Sequence, residues 1–293
     1  MNVSDKMMAS ARRSVFRCVN RVLATYGLTL TRLEQDFDSR PTDPLTLDLL
    51  FSALAVSYDD WVSQQNLFDA EPTQTRAIIE EFYISWLKSP FRGKNGGSRF
   101  NNLLWLHLVA HSYKPGIVID SGTFEGASAW AFATALPPGT VHSYDINLSK
   151  IKLRMSSVRY IEADWMSEEL AITNARALCY FDDHVDQVRR LIEAARRGGA
   201  LLIFDDDFPV TSFYQMAPST MVLPKIEFVL DSGLRDGQEL AWTYQGKSLR
   251  FRIDMDRLDE ARACIERTSR MPFTGLITGI HQTPYRLVVL RRT

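Results

Sequence analysis

The sequence contains few cysteines and no apolar run long enough to cross a membrane. Its three cysteines, Cys18, Cys179 and Cys264, lie far apart and form no Cys-x-x-Cys pair. This spacing argues against both a disulfide framework and a thiolate metal site. A transmembrane helix would need about 18 consecutive apolar residues, which the sequence lacks. The N-terminus also lacks the pattern of a secretory signal, so we expect a cytoplasmic protein.

An excess of charge of either sign is missing as well. The 34 Lys and Arg residues balance 35 Asp and Glu residues, which gives a formal net charge of -1. Nucleic-acid-binding domains usually carry a strongly basic stripe, so the overall charge argues against a nucleic-acid partner. With 293 residues, of which 45% are hydrophobic and 24% charged, the chain can bury a sizeable core without disulfides.

Residues 1–100 are interpreted as a helical N-terminal extension, and residues 101–293 as the main domain. Apolar residues at helical spacing between positions 10 and 26 alternate with four arginines, which predicts an amphipathic helix. Two interpretations are open. The helix packs on its own domain or on a second protomer of a homo-oligomer, or it rests on an anionic membrane surface.

Residues 45–88 are predicted to be largely helical, and a glycine-rich basic loop follows at residues 93–99. This loop is either a linker or a segment that closes over an anionic group of a ligand. It leads into a predicted apolar helix from Asn101 to Ser112.

From residue 115 onward, short apolar runs alternate with segments of helix length. The runs span residues 116–120, 140–145, 158–164, 177–182 and 200–205. Continuous apolar strands separated by helices predict a doubly wound α/β fold, with a parallel sheet covered on both faces. Near the C-terminus we predict a helix over residues 258–270 and two strands, 272–280 and 285–292, so that an antiparallel strand comes last.

Each of the five apolar runs ends in an aspartate. Ligands of parallel sheets bind outside the carboxyl ends of the strands, so these side chains are predicted to line one rim. A helix N-cap would explain any one of them alone, but capping at five successive strand ends is a weaker explanation. The rim is therefore a candidate site formed by Asp120, Asp145, Asp164, Asp182 and Asp205.

The strongest local signal is the turn after the first strand, residues 120–126, which reads Asp-Ser-Gly-Thr-Phe-Glu-Gly. Gly122 would let the backbone turn tightly against a ligand, and Gly126 would let the next helix lie close to the strand. The G-x-x-x-G spacing differs from the G-x-G-x-x-G of dinucleotide sites, which disfavours a nicotinamide dehydrogenase. A simple strand-to-helix turn is the alternative.

Two further aspartates suit a bound adenosine. Asp145 ends the second strand, where a carboxylate can accept both ribose hydroxyls, and Asp164 with Trp165 suits the adenine amino group and ring. This series resembles the class I S-adenosylmethionine-dependent methyltransferases over roughly residues 100–293. The resemblance implies a seven-stranded sheet with a reversed last strand and S-adenosylmethionine as cofactor. It predicts as cofactor contacts Asp120, Gly122, Thr123, Phe124, Gly126, Ser128, Asp145, Asp164 and Trp165.

Acidic residues after the fourth and fifth predicted strands narrow the resemblance to one subgroup of these methyltransferases. Segments 180–187 and 202–209 resemble the metal-dependent macrocin-type O-methyltransferases and the cephalosporin-hydroxylase-like proteins. Carried over by position, the metal ligands would be Asp182, Asp205 and Asp206, with Asp207 as an alternative. Converging carboxylates repel one another until a cation binds, and oxygen ligands favour Mg²⁺, Mn²⁺ or Ca²⁺, of which we expect Mg²⁺. Helix caps and solvated loop charges are the alternative.

His184 stands where this group usually has its second acid. It could take a proton from a substrate hydroxyl, with Asp182 as the second candidate catalytic residue, or it could cap the following helix. The predicted function is O-methylation of a small hydroxylated acceptor, such as a sugar or glycan precursor. A hydroxylase-like enzyme of different chemistry and a non-catalytic cofactor-binding scaffold are the alternatives. Residues 208–224 are interpreted as an acceptor-binding lid or as a helix that packs on the sheet.

Overall fold

The computed structural model describes residues 43–68, 74–92, 97–168, 172, 176–211, 222–244 and 246–291. Three helices precede the sheet: α1 (Pro44–Ser63), α2 (Thr75–Lys88) and α3 (Phe100–Tyr113). Helix α1 begins at Pro44 because the Asp43 side chain accepts a hydrogen bond from Thr46 N, 3.0 Å away. These helices confirm the helical predictions for residues 45–88 and 101–112. The predicted helix at residues 10–26 lies outside the described residues.

Strands and further helices follow along the described part of the chain. The helices are α4 (Ala127–Ala133), α5 (Gln187–Arg196), α6 (Ile226–Leu230), α7 (Met255–Cys264) and α8 (Gly275–Thr278). The strands are β1 (Ile117–Ser121), β2 (Val141–Asp145), β3 (Val158–Glu162), β4 (Ala177–Phe181), β5 (Leu201–Phe204), β6 (Glu239–Tyr244), β7 (Lys247–Arg252), β8 (Ile265–Arg270) and β9 (Arg286–Leu290).

Seven of these strands form one sheet in the order β3-β2-β1-β4-β5-β9-β8, while β6 and β7 form a separate hairpin. Strands β1 to β5 are parallel to one another, and β9 is antiparallel to both β5 and β8. The structure therefore confirms the predicted doubly wound α/β fold with a reversed last strand.

Side chains of neighbouring positions on a strand face opposite sides of the sheet and enter two hydrophobic clusters. Val118 of β1 and Leu178 of β4 belong to the cluster that also contains apolar residues of α1, α2, α3 and α4. Ile119 and Cys179 belong to the cluster on the other face, together with residues of α5, α6 and α7. This alternation follows from the two-residue period of a strand. The division of the chain at residue 100 stays a prediction.

The order of elements near the C-terminus was predicted wrongly in two places. The helix expected over residues 258–270 ends at Cys264, and β8 follows at once. The strand expected over residues 272–280 is not formed, since α8 lies there and Gly279 ends it with a φ of +72°. Pairing of β8 with β9 at the sheet edge outweighs the helical spacing of Leu258, Ala261 and Ile265. Among the described helices, none is long and apolar enough to cross a membrane.

Candidate active site

A pocket of about 660 Å³ opens at the carboxyl edge of the sheet, above β1 and β4. The strand order reverses between these two strands, and such switch points are where open α/β sheets bind ligands. Small-molecule sites commonly have volumes of roughly 300–1,000 Å³, a range that includes this pocket. The predicted site residues that line it are Gly122, Phe124, Asp145, Asp164, Asp182, His184, Asp205 and Asp206.

Asp120 is fully buried beneath the pocket rather than on its rim. Its Oδ2 accepts a hydrogen bond of 2.5 Å from Ser143 Oγ, and the Ser143 hydroxyl lies 2.7 Å from Thr123 Oγ1. Burial raises the pKa of Asp120 to about 6, against the opposing effect of the Ser143 bond. Of the five aspartates expected along one rim, four line the pocket and Asp120 does not.

Trp165, predicted beside the adenine ring, is also fully buried. Its ring centroid lies 5.7 Å from that of Phe181, and the Arg197 guanidinium stacks over it at 5.1 Å. The residue beside Asp145 that faces the pocket is Ile146, whose relative exposure is 82%. Sequence reasoning missed Ile146, although an apolar residue directly after the predicted ribose acid was a usable signal. Thr123, Gly126 and Ser128 are the other predicted cofactor residues that do not line the pocket.

Gly122 has a structural role that the sequence did not indicate. Its φ is +105°, and a Cβ at this position would lie 2.4 Å from the carbonyl oxygen of Asp182 and 2.8 Å from Asp183 N. The glycine therefore permits close approach of the segment after β4, in addition to any approach by a ligand. A hydrogen bond of 2.9 Å from Asp182 N to the Ser121 carbonyl joins the same two segments.

The Asp145 carboxylate is held over the glycine turn by backbone amides. Its Oδ2 accepts from Phe124 N at 2.8 Å, and its Oδ1 accepts from Asn147 N at 2.9 Å. Each carboxylate oxygen has two lone pairs, so both oxygens keep accepting capacity for a ligand.

Arg190, on the first turns of α5, connects three carboxylates and was missed by sequence reasoning. Its side chain is 2% exposed, and it donates hydrogen bonds of 2.7 Å to Asp164, Asp183 and Glu193. Burial, the largest single effect, would raise the pKa of Asp164, but the hydrogen bonds from Arg190 and Met166 N and the charge of Arg190 together lower it. Because Asp183 Oδ2 also accepts from Ser121 Oγ at 2.6 Å, this network reaches back to β1.

Asp205 lines the pocket, but most of its accepting capacity is used inside the protein. Its Oδ1 accepts from Asp206 N at 2.7 Å and from the Thr283 hydroxyl, and its Oδ2 accepts from the Tyr180 hydroxyl at 3.0 Å. The residue is 5% exposed. Burial, followed by the negative charge of Asp206, raises the pKa of Asp205 to about 7.

Asp182, His184 and Asp206 form the open part of the acidic rim. One donor atom from each of the three lies within 4.8 Å of the other two. His184 Nε2 is 3.9 Å from Asp182 Oδ1, and the His184 side chain is 50% exposed. Burial and the charges of Asp205 and Asp206 raise the pKa of Asp182 well above its usual value, and burial also raises the pKa of Asp206.

Asp207, the alternative predicted ligand, is paired elsewhere. Its Oδ2 accepts from Arg286 Nε at 2.7 Å, its Oδ1 accepts from Glu227 N at 2.9 Å, and its side chain is 1% exposed. Lys225 is buried near the same carboxylates, and its positive charge opposes the rise in the pKa of Asp206.

Two loops outside the strand ends also contribute to the pocket. Gly97 and Arg99 line it from the end of the glycine-rich loop, and His281 and Thr283 line it from the segment before β9. Of the predicted acceptor lid at residues 208–224, residues 212–221 lie outside the described part of the chain.

No protein-family model matches the sequence, and no curated protein matches it. Among solved structures, the O-methyltransferase TomG from Streptomyces achromogenes, in complex with SAM, is 14% identical over 80% of this chain and 96% of its own, with a TM-score of 0.40. An O-methyltransferase from Bacillus cereus in complex with SAH is 14% identical over 80% of this chain and 97% of its own, with a TM-score of 0.38. The SAH-bound methyltransferase PaMTH1 from Podospora anserina is 14% identical over 87% of this chain and 99% of its own, with a TM-score of 0.38. At these identities and TM-scores, the similarity does not by itself assign a function to this chain.

Proposed function

We propose that this protein is an S-adenosylmethionine-dependent O-methyltransferase that acts on a small hydroxylated acceptor. The observation that carries the proposal is one pocket with two chemically different sides. The Gly122 turn, Asp145 and Asp164 lie at the carboxyl ends of β1, β2 and β3, and the open acids Asp182 and Asp206 lie after β4 and β5, on the other side of the switch point. A cofactor on the first side would point its reactive group toward an acceptor on the second.

The first side suits a nucleoside without a pyrophosphate. Asp145 keeps lone pairs for the two ribose hydroxyls, and Asp164 is 36% exposed and could accept from the adenine amino group. Ile146 and Ala163 add apolar surface for the ring. The turn lacks the third glycine of a pyrophosphate cradle, which favours S-adenosylmethionine over a dinucleotide.

The second side suits a divalent cation. Burial raises the pKa values of Asp182 and Asp206, the charges of neighbouring carboxylates raise that of Asp182 further, and a bound cation would relieve the repulsion among the rim carboxylates. Both residues offer open carboxylate oxygens, whereas the oxygens of Asp205 already accept bonds within the protein. A divalent ion here would chelate vicinal hydroxyls and lower the pKa of the attacking one, so vicinal-diol sugars are the first acceptors to test.

The acceptor hydroxyl must lose its proton as it attacks the methyl group. His184 is half exposed at the rim, and Asp182 lies beside it, so each could take that proton. The walls of the pocket hold acceptor and cofactor side by side, and such positioning contributes a large part of the rate in a transfer of this kind.

Calorimetric titration with S-adenosylmethionine and S-adenosylhomocysteine, with and without Mg²⁺, tests the proposal. We expect both to bind, and we expect Asp182→Ala to abolish metal-dependent methyl transfer while S-adenosylhomocysteine still binds. Glu266→Gln, which alters an exposed carboxylate on β8, is the matched control and should behave as the parent protein. Failure of both cofactor forms to bind would refute the proposed function. Binding without methyl transfer to any hydroxylated acceptor would favour the scaffold or hydroxylase-like alternative.

A further inference from the structure

We propose that the divalent ion of this site is held by Asp182, His184 and Asp206, with Asp205 as part of the frame rather than a ligand. The role of that ion in methyl transfer rests on the proposed function, but the donor set does not. A site that includes an imidazole should prefer Mn²⁺, Fe²⁺ or Co²⁺ to Mg²⁺.

Asp205 is a poor ligand because its surroundings already satisfy it. Both lone pairs of Oδ1 are engaged by Asp206 N and the Thr283 hydroxyl, and Oδ2 accepts from the Tyr180 hydroxyl. Moving this carboxylate onto an ion would leave buried hydroxyls without acceptors, which is unfavourable for each group.

Asp182 and Asp206 differ from Asp205 in their hydrogen bonding. Neither carboxylate is held by a described hydrogen bond comparable to those of Asp205. The Asp182 carboxylate has His184 Nε2 at 3.9 Å, and its side chain is 21% exposed. The donor atoms of Asp182, His184 and Asp206 lie within 4.8 Å of one another. Two ligands of one ion lie roughly 3–4 Å apart when each metal–ligand distance is about 2.1 Å, so small side-chain rotations would close the set.

His184 and Asp206 share an uncommon backbone conformation. Their φ angles are +54° and +56°, both in the left-handed region. At each position the chain has just left a buried strand, β4 or β5, and this conformation directs it across the rim. The convergence of the two side chains is thus a property of the fold.

A histidine in the donor set changes the choice of ion. Carboxylate oxygens alone suit Mg²⁺, Ca²⁺ and Mn²⁺, whereas imidazole nitrogen binds later first-row metals more strongly. In this assignment the imidazole nitrogen that faces Asp182 binds the ion, so His184 is not the base that deprotonates the acceptor. If His184 is a ligand, its removal should weaken metal binding, whereas removal of a base that does not bind the ion should leave metal affinity unchanged.

The test is a metal titration of the folded protein with Co²⁺, followed by visible absorption, and with Mg²⁺ by calorimetry. The variants are His184→Asn, which tolerates the left-handed backbone, Asp205→Asn, and His281→Gln as a matched pocket-lining histidine outside the donor set. We expect His184→Asn to weaken Co²⁺ binding at least tenfold and to change the cobalt spectrum, with Mg²⁺ affinity within threefold of the parent. Asp205→Asn and His281→Gln should keep the Co²⁺ affinity of the parent.

Unchanged Co²⁺ affinity and spectrum in His184→Asn would overturn the assignment and leave His184 as the candidate base. So would a loss of Co²⁺ binding in folded Asp205→Asn, or the absence of Co²⁺ binding by the parent protein. A parallel titration with S-adenosylhomocysteine separates the two proposals. Cobalt binding that depends on His184, in a protein that binds no S-adenosylhomocysteine, would support the donor set and refute the methyltransferase.

Discussion

Gly122 and Asp182 are in direct backbone contact, so close that a Cβ on Gly122 would lie 2.4 Å from the Asp182 carbonyl oxygen. Gly122 belongs to the turn on the proposed cofactor side of the pocket, and Asp182 is the first acid of the proposed metal side. Protein interiors are closely packed, so a shift of one of two contacting segments displaces the other. The distance between the cofactor side and the metal side is therefore set in part by the lack of a side chain at position 122.

Replacement of Gly122 by Ala should weaken binding on both the cofactor side and the metal side. The new Cβ must push the segment after β4 away from β1, in addition to the roughly 1–2 kcal/mol that a left-handed residue with a side chain costs. We expect a lower melting temperature and weaker binding of both S-adenosylhomocysteine and a divalent ion.

Gly139 provides the control, because its φ is +82° and a Cβ there would meet nothing within 4 Å. Gly139→Ala should show the backbone cost alone and keep both affinities. Equal behaviour of the two variants in calorimetry and thermal unfolding would show that the contact with Asp182 has no effect on the site.

The parallel part of the sheet and its rim could be predicted because both follow from local pattern. A strand buried on both faces reads as an apolar run, and the residue after the run must lie at the carboxyl edge, as Asp182 and Asp205 do. The two-residue period of a strand does not show whether an aspartate near the end of that strand will be buried or will reach the pocket. Asp120 is the second-last residue of β1 and is fully buried, which the pattern could not predict.

Features that depend on long-range partners escaped prediction. The segment of β8 reads as the end of a helix until β9 pairs with it. Arg190 looks like its neighbour Arg189 in the sequence, and only its place on the buried side of α5, beside Leu191 and Ala194, marks it. An arginine on the apolar face of an amphipathic helix was a signal that could have been used.

Arg190 and Arg189 also offer a matched test of buried and exposed charge. Arg190→Met would leave Asp164 and Asp183 without their buried counter-ion, which should cost about 3–5 kcal/mol of unfolding free energy. Arg189→Met should cost less than about 1 kcal/mol, because Arg189 is 52% exposed and pairs with Glu193. Urea denaturation measures both. A loss in Arg190→Met no greater than in Arg189→Met would contradict the structural role of the network.

Asp145 is the residue on which we expect cofactor affinity to depend most. Its removal takes away the acceptor for the ribose hydroxyls and for Phe124 N, so Asp145→Ala should weaken S-adenosylhomocysteine binding by about 10²-fold, which is about 2.7 kcal/mol. Glu162 pairs with Asp145 across β2 and β3 but does not line the pocket, so Glu162→Gln should bind as the parent does. Calorimetry with S-adenosylhomocysteine gives both values, and an unchanged affinity in Asp145→Ala would place the ribose elsewhere.

Asp120 should make the stability of the protein depend on pH in a direction opposite to that of a salt-bridged acid. Burial raises its folded-state pKa to about 6, so the folded protein binds its proton more tightly than the unfolded chain does. This contribution favours folding at low pH and is lost as the pH rises through 6. Asp120→Asn removes the titration, so its unfolding free energy relative to the parent should increase by about 1–2 kcal/mol between pH 5 and pH 8. Urea denaturation of both proteins across that range measures the difference. A constant difference would mean that the folded-state pKa of Asp120 is not raised into this range.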